Sequence, residues 1–140
     1  MPSPPAMIFV NLPVADLPRS KEFFQKLGYR FEPKFTNDKG ACMVISDSIF
    51  AMLLTRPFFQ TFTPRDIADA TKVTEVLNCL SAPSREEVDR LVDAALAAGG
   101  TEPRPPQDHG VMYGRTFADL DGHIWEIMWM SPEMAEKGAV

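Results

Sequence analysis

Two stretches of the sequence decide its fold: residues 14–24, VADLPRSKEFF, near the start, and residues 117–126, FADLDGHIWE, near the end. In the first stretch, Asp16 or Ser20 caps a helix that carries two phenylalanines on its buried side. In the second stretch, an Asp-Gly turn separates two segments rich in strand-forming residues. The first is therefore an entry from strand to helix, and the second is a hairpin.

The segments around these stretches repeat one order of elements, which is a strand, a helix and three strands. The helix of the first half ends at Gly28, and the helix of the second half opens with a capping box from Ser84 to Glu87. The first half predicts strands over residues 8–14, 29–35, 41–45 and 49–55, and the second half predicts them over 73–81, 101–104, 111–119 and 123–130. The aromatic segment between the halves predicts one helical turn after Pro64, and residues 131–140 predict a polar tail.

The duplication predicts an α+β fold. We expect two tandem βαβββ modules that form a cupped mixed β-sheet with the helices outside. The chain is then a single domain made of a module over residues 7–56, a connector over 57–71 and a second module over 72–131.

Composition excludes several classes of protein. A length of 140 residues with 45% hydrophobic and 24% charged residues is typical of one globular domain, not of a disordered or disulfide-dense chain. The net charge of −5 argues against nucleic-acid binding, which uses basic surfaces. The longest apolar run, residues 49–54, is too short for a membrane span, and residues 1–5 lack the features of a secretion signal. We therefore expect a cytoplasmic protein, with Cys42 and Cys79 as reduced, buried thiols.

Residues 14–24, the following Leu27-Gly28-Tyr29 and residues 117–126 together resemble the vicinal oxygen chelate superfamily. This superfamily includes glyoxalase I, extradiol dioxygenases, fosfomycin-resistance proteins and bleomycin-resistance proteins. The resemblance covers residues 7–130 and implies that each half supplies two ligands to a divalent metal, one from its first strand and one from its last strand. Zn, Ni, Mn, Mg or Fe suits such a site.

The resemblance assigns four positions of this sequence to the ligand set. Glu126 matches the last-strand ligand of the second half, and Met52 is its counterpart in the first half. Phe9 occupies the first-strand position of the first half. Glu75 occupies that position in the second half, with Leu77 as the alternative. The implied metal ligands are therefore Glu126 and Glu75.

Two functions follow from this resemblance. In one, the protein is glyoxalase-like and acts on a small oxygenated molecule in the sheet cup, with Glu126 as the catalytic residue and metal ligand. The alternative is a metal-free small-molecule binding protein of the bleomycin-resistance type, which Phe9 and Met52 favour because neither binds a hard cation. A homodimer is expected in both cases.

Further residues are candidates for contact with the small molecule. Asn11 points into the predicted cup or bonds to a neighbour. His109 is either a functional residue, as part of a lid or as a general base, or a solvated loop residue. Tyr113 and Arg115 share a face, as an anion- or carbonyl-binding pair in the cup or as an exposed pair, and Arg115 is also a possible partner for Glu126.

Strand alternation divides the remaining aromatic residues. Trp125, Ile127 and Trp129 point away from Glu126 and are expected under the helices, whereas His123 is expected at a hairpin end. In the connector, the phenylalanines at positions 58, 59 and 62 either cover the mouth of the cup or lie in the core or the dimer interface.

Overall fold

The computed structural model of the chain describes residues 6–138. They form two compact units, of which one ends at Asp69 and the other begins at Ala70. Residues 1–5, where no secretion signal is predicted, and the last two residues of the predicted tail lie outside the described part.

The first unit has the order β, α, β, β, β, with a short 3₁₀ turn and a final short helix. Its elements are β1 (Ile8–Val14), α1 (Leu17–Lys26), β2 (Arg30–Phe31), the 3₁₀ turn (Pro33–Phe35), β3 (Gly40–Val44), β4 (Ile49–Thr55) and α2 (Arg56–Gln60). The sheet order is β1-β4-β3-β2, and β1 pairs with β4 in parallel while the other pairs are antiparallel. Helix α1 provides the crossover that a parallel pair requires.

Helix α1 begins and ends where the sequence predicts. The Asp16 side chain caps it by accepting a hydrogen bond from the backbone N–H of Arg19 at 3.1 Å. Phe23 and Phe24 are buried on the face that packs against the sheet. Gly28 follows the last turn with φ of 107°, a left-handed conformation that favours glycine.

The second unit repeats this order. Its elements are β5 (Leu77–Ser81), α3 (Arg85–Ala97), β6 (Gln107–Asp108), β7 (Met112–Ala118), β8 (Ile124–Met130) and α4 (Pro132–Lys137). The sheet order is β5-β8-β7-β6, again with one parallel pair, β5 with β8. The α+β fold of two tandem βαβββ modules is thus confirmed.

Helix α3 covers one face of this second sheet. The Ser84 hydroxyl caps the helix by accepting from the backbone N–H of Glu87 at 3.1 Å. The return bond of the predicted capping box is replaced by an ion pair, because the Glu87 carboxylate pairs with Arg90. The buried residues of the helix follow helical spacing and are Val88, Leu91, Val92 and Ala95.

Several predicted boundaries are wrong, and proline explains two of them. The strand predicted over 29–35 stops at Phe31, since Pro33 opens the 3₁₀ turn. The strand predicted over 101–104 is reduced to one bridge, Thr101 with Ala118, ahead of Pro103. Strand β6 lies instead in the predicted loop at Gln107–Asp108.

The remaining differences concern the ends of elements. Strand β5 begins at Leu77 instead of residue 73, because its partner β8 extends no further than Ile124. The helix of the connector region is α2, which lies before Pro64 and not after it as predicted. The predicted tail contains α4, which Ser131 caps through the backbone N–H of Met134. None of the helices within residues 6–138 is long and apolar enough to cross a membrane.

Candidate functional site

The second sheet has two chemically different faces. On β8, Trp125 and Ile127 are buried on the face that α3 covers, as their alternation predicts. Glu126 and Met128 point to the opposite face because side chains alternate along a strand. The strand registers add Cys79 of β5 and Thr116 of β7 beside Glu126. This second face therefore places a carboxylate, a thiol and a hydroxyl next to one another.

A concave pocket of about 190 Å³ lies on this face. Its walls are formed by Cys79, Met112, Gly114, Thr116, Glu126 and Met128, with Arg104, Gln107 and His109 as further lining residues. Gly114 helps to form the space, because a Cβ at this position would lie 3.4 Å from the Ile127 carbonyl oxygen without severe contact. The pocket thus combines two methionines and a glycine with a few polar side chains, a composition common in ligand sites.

Glu126 is the acidic residue of this pocket. Its side chain is half-buried, and within residues 6–138 its carboxylate has no hydrogen-bond or ion-pair partner. Partial desolvation by the atoms around the Cys79 thiol, and next the negative charge of Glu126, raise the pKa of this thiol. The charge of Glu126 is therefore not neutralised by direct contact with a cationic side chain of residues 6–138.

Cys79 and six of the other lining residues named above were not among the predicted site residues. Cys79 is exposed, so the prediction of two buried thiols holds for Cys42 alone. Met128 lies two residues after Glu126 on β8, so alternation along the strand could have identified it as a residue on the same face. Thr116, Gly114 and Met112 became identifiable only once the pairing register of β7 with β8 was known.

Tyr113 and Arg115 share a face of the sheet as predicted, but this is the helix face. The alternative that places them in the cup with Glu126 is wrong. In the register of β7 with β8, Thr116 is opposite Glu126, and Arg115 is opposite the buried Ile127. A shift of one residue in such a register exchanges the two faces of a strand. Arg115 borders the pocket, but its guanidinium turns towards α3 and is not the partner of Glu126.

Three carboxylates satisfy the Arg115 guanidinium, whose side chain is 9% exposed. It donates to Asp89 at 3.1 Å, to Asp93 at 2.9 Å and to Glu102 at 3.0 Å. These hydrogen bonds raise the pKa of Arg115, with that to Glu102 contributing most. Tyr113 donates its hydroxyl proton to Asp89 at 2.6 Å. Arg115 thus links β7 and Glu102 to helix α3, and Tyr113 links β7 to the same helix. The charge of Arg115 is neutralised by these carboxylates and is not directed into the pocket.

Arg85, at the start of α3, holds the loop that carries His109. Its guanidinium donates to both carboxylate oxygens of Asp108 at 2.9 Å and to the Gly110 carbonyl at 2.9 Å. It also lies 5.0 Å from the ring centre of Tyr113 and 5.2 Å from that of Trp129. The hydrogen bond from Arg85 lowers the pKa of Asp108 to about 2.

The predicted residues of the first module lie on the corresponding sheet. Phe9 is 47% exposed, and its ring stacks on Phe50 with the centroids 4.8 Å apart. The Asn11 side chain donates to the Phe9 carbonyl at 3.2 Å, as in the prediction of a bond to a neighbour. Met52 is half-buried and pairs in register with Asn11. His123, predicted at a hairpin end, immediately precedes β8.

The strand registers also decide between Glu75 and Leu77. Asn11 pairs with Met52 in the first sheet, and Cys79 pairs with Glu126 in the second. Phe9 precedes Asn11 by two residues, so its equivalent is Leu77, two residues before Cys79. Glu75 lies outside β5 and is exposed. The assignment of Glu75 is wrong in this register, and the alternative, Leu77, holds.

The residues at the four implied ligand positions do not fit a divalent metal. Phe9 and Leu77 offer no lone pair, Met52 offers a soft thioether, and Glu126 alone is a hard oxygen ligand. Within residues 6–138, no group of three or more His, Cys, Asp or Glu side chains is arranged to hold a metal ion. The side chains present at these positions are suited to contact with an organic molecule.

Comparison with known proteins identifies the superfamily. The family model described as bleomycin resistance protein-like N-terminal matches residues 7–46. A hypothetical protein from S. aureus has 32% identity and a TM-score of 0.75, with 89% of this chain and 92% of that chain covered. No curated protein sequence matches the chain.

Two more distant structures share the fold. A glyoxalase/bleomycin resistance protein/dioxygenase family enzyme from Burkholderia phytofirmans has 17% identity and a TM-score of 0.74, over 90% of this chain and 99% of that chain. A fosfomycin resistance protein from Listeria monocytogenes has 20% identity and a TM-score of 0.67, over 95% and 98%. With its two βαβββ modules and the Asp-Gly-His hairpin before Glu126, this chain belongs to the vicinal oxygen chelate superfamily of glyoxalase, bleomycin-resistance and dioxygenase proteins.

Proposed function

We propose that this protein binds a small organic molecule without a metal ion, and that the pocket around Glu126 is part of its binding site. The observation that carries the proposal is a half-buried carboxylate without a protein partner within residues 6–138, in a pocket that Met112 and Met128 also line. Metal-free binding is the function that the resemblance to bleomycin-resistance proteins implies. The match of residues 7–46 to the bleomycin resistance protein-like family supports this resemblance.

The pocket walls supply both affinity and orientation. Burial of apolar ligand surface against the two methionines contributes about 25 cal/mol per Å². Methionine side chains adapt to ligands of different shape because they are unbranched and flexible. The carboxylate of Glu126 and the hydroxyl of Thr116 then fix the orientation of polar groups.

A glyoxalase- or dioxygenase-type reaction is less well supported by these residues. In such a reaction a divalent metal would polarise the vicinal oxygens of the substrate, and Glu126 would be one of its ligands. Phe9, Met52 and Leu77 do not supply the remaining hard ligands. We therefore propose the binding function in place of metal-dependent catalysis.

Nuclear magnetic resonance of protein with ¹³C-labelled methionine methyl groups tests this proposal. Met112 and Met128 report on the pocket, and the buried Met43 of the first module is the internal control. Metal-free bleomycin and a fragment library are added in the presence of EDTA. We expect some of these ligands to shift the Met112 and Met128 resonances and to leave the Met43 resonance unchanged. The shifts should be the same when Zn²⁺ replaces EDTA.

A variant that fills the pocket provides the control. Gly114→Leu adds a side chain from the pocket wall, and its Cβ has room beside Ile127 and Met128. It should remove the ligand-induced shifts while the protein remains folded. Ligands that act only after a divalent metal is added, or that bind Gly114→Leu equally well, would contradict the proposal.

A further inference from the structure

We infer that the group bound at Glu126 is a cation or a strong N–H donor of the ligand, such as an amine or amidine. This inference rests on the proposed function and adds the chemical class of the ligand to it. The juxtaposition that carries it is an unpartnered carboxylate on a pocket wall where Met128 and Met112 lie on the same face of the sheet.

The first step concerns the balance of charge around Glu126. The two nearest positions across the sheet are Cys79 and Thr116, and both are uncharged in their ordinary state. The nearby guanidinium of Arg115 is turned to the other face, where three carboxylates satisfy it. A partly buried carboxylate that lacks a partner gains free energy when a ligand brings a positive charge.

The second step concerns the other basic side chains that line the pocket. Arg104 is exposed, and within residues 6–138 it has no ion-pair or hydrogen-bond partner. His109 is likewise exposed, in the loop that Arg85 holds. Solvent screens both side chains more strongly than it screens the half-buried Glu126. They suit oxygen atoms of the ligand that lie towards solvent, while the cationic group lies against Glu126.

The third step concerns size. A pocket of about 190 Å³ is smaller than the roughly 300–1,000 Å³ of sites for drug-sized molecules. It accommodates a compact group, either a small molecule or the basic end of a larger one. A planar amidine attached to a ring has this size, and its two N–H groups match the two oxygens of a carboxylate.

Three probes of nearly equal shape and different charge test the inference. Benzamidine is a cation, benzamide is neutral and benzoate is an anion. Each is titrated into protein with labelled methionine methyl groups, and Kd is read from the Met112 and Met128 resonances. We expect benzamidine to bind about tenfold more tightly than benzamide. Benzoate should bind more weakly than benzamide.

Two variants of equal charge change separate the local effect from net charge. Glu126→Gln should weaken benzamidine about tenfold and leave benzamide nearly unchanged. Glu136→Gln, which removes the same charge from the exposed surface of α4, should leave both affinities unchanged.

The outcomes distinguish this inference from the proposed function. Equal binding of benzamide and benzamidine at Met112 and Met128 would overturn the inference and leave the binding function standing. Preference for benzoate, or benzamidine binding that Glu126→Gln does not weaken, would also overturn it. Absence of any response at Met112 and Met128 to all three probes would overturn the inference, and with it the assignment of this pocket as a binding site for small aromatic molecules.

Discussion

Asp119 fixes the position of Glu126 although it does not line the pocket. Its side chain is 7% exposed and accepts the backbone N–H groups of Asp121 and His123 at 3.0 Å, together with the Trp125 indole N–H at 3.0 Å. Burial raises the pKa of this carboxyl, and the three donors compensate for its charge. The turn that it braces leads directly into β8.

Replacement of Asp119 by asparagine should destabilise the protein by about 1–3 kcal/mol. An amide has one acceptor oxygen, so its NH₂ group faces either the turn amides or the Trp125 indole and leaves a buried donor unsatisfied. Urea unfolding measures the loss. Asp47→Asn, at the corresponding exposed turn of the first module, is the matched control and should change stability by less than about 0.5 kcal/mol. Equal effects of the two changes would contradict this role of Asp119.

At the scale of elements, Arg85 links the start of α3 to the β6–β7 loop beside the pocket. Asp108 pairs with Tyr113 in register and faces Arg85, whereas Gln107 pairs with Gly114 and lines the pocket with His109. The loop is therefore held from the helix face while it presents other side chains to the pocket face.

Replacement of Arg85 by lysine should loosen this loop. Lysine keeps the charge but loses the bidentate bond to Asp108 and the stacking on two aromatic rings. Amide hydrogen exchange at His109 and Gly110 should accelerate, while exchange in the centre of α3 stays unchanged. Arg90→Lys is the control, because Arg90 pairs with Glu87 of its own helix. Unchanged loop exchange in Arg85→Lys would show that Arg85 does not hold the loop.

The sequence predicts most elements and the faces of individual strands, but not the register between strands. Alternation within β8 correctly separated Glu126 from Trp125 and Ile127. The face of Tyr113 and Arg115 depends on how the hairpin turn aligns β7 with β8, and a change of one residue in that alignment moves both side chains to the other face. For the same reason the sequence left Glu75 and Leu77 open, and the pairing of β5 with β8 favours Leu77.

The candidate site was predictable to a smaller extent than the fold. The family motif correctly placed Glu126 on the last strand of the second module. Arg104 and Gln107 lacked any signal, because they lie in or beside a proline-rich segment whose path depends on tertiary contacts with Arg85 and β7. Proline removes backbone donors but does not specify where the chain turns.

At the scale of the whole molecule, the pattern of exposed apolar residues favours a symmetric homodimer. Large apolar side chains are exposed in both modules, on or beside β1 and β5 and in the connector: Met7, Ile8, Phe9, Phe62, Val73, Val76 and Leu77. Strands β1 and β5 are each at the edge of their own sheet, and exposed apolar side chains grouped at such an edge mark an interaction site. We expect a dimer that buries more than about 1,000 Å² in total.

Analytical ultracentrifugation at micromolar concentration tests the dimer. Phe62 is 68% exposed in the connector, so Phe62→Asp should shift the protein towards the monomer. Phe35→Asp changes a phenylalanine of similar exposure, 65%, in the 3₁₀ turn and should leave the dimer intact. Wild-type protein that sediments only as a monomer would contradict the expectation.

The central claim is that the protein binds its ligand without a metal ion. Thermal melting tests this claim most directly, with wild type and Glu126→Gln each measured in EDTA and in excess Zn²⁺ or Mn²⁺. A metal that bound the native state at a hundredfold excess over its Kd would add about 2.7 kcal/mol of stability and raise Tm by more than about 5 °C. We predict no rise in Tm for either protein, because Phe9, Met52 and Leu77 occupy the other ligand positions. We also predict that Glu126→Gln melts no lower than wild type, since Glu126 has no partner within residues 6–138. A metal-induced rise in the Tm of wild type that disappears in Glu126→Gln would contradict the account.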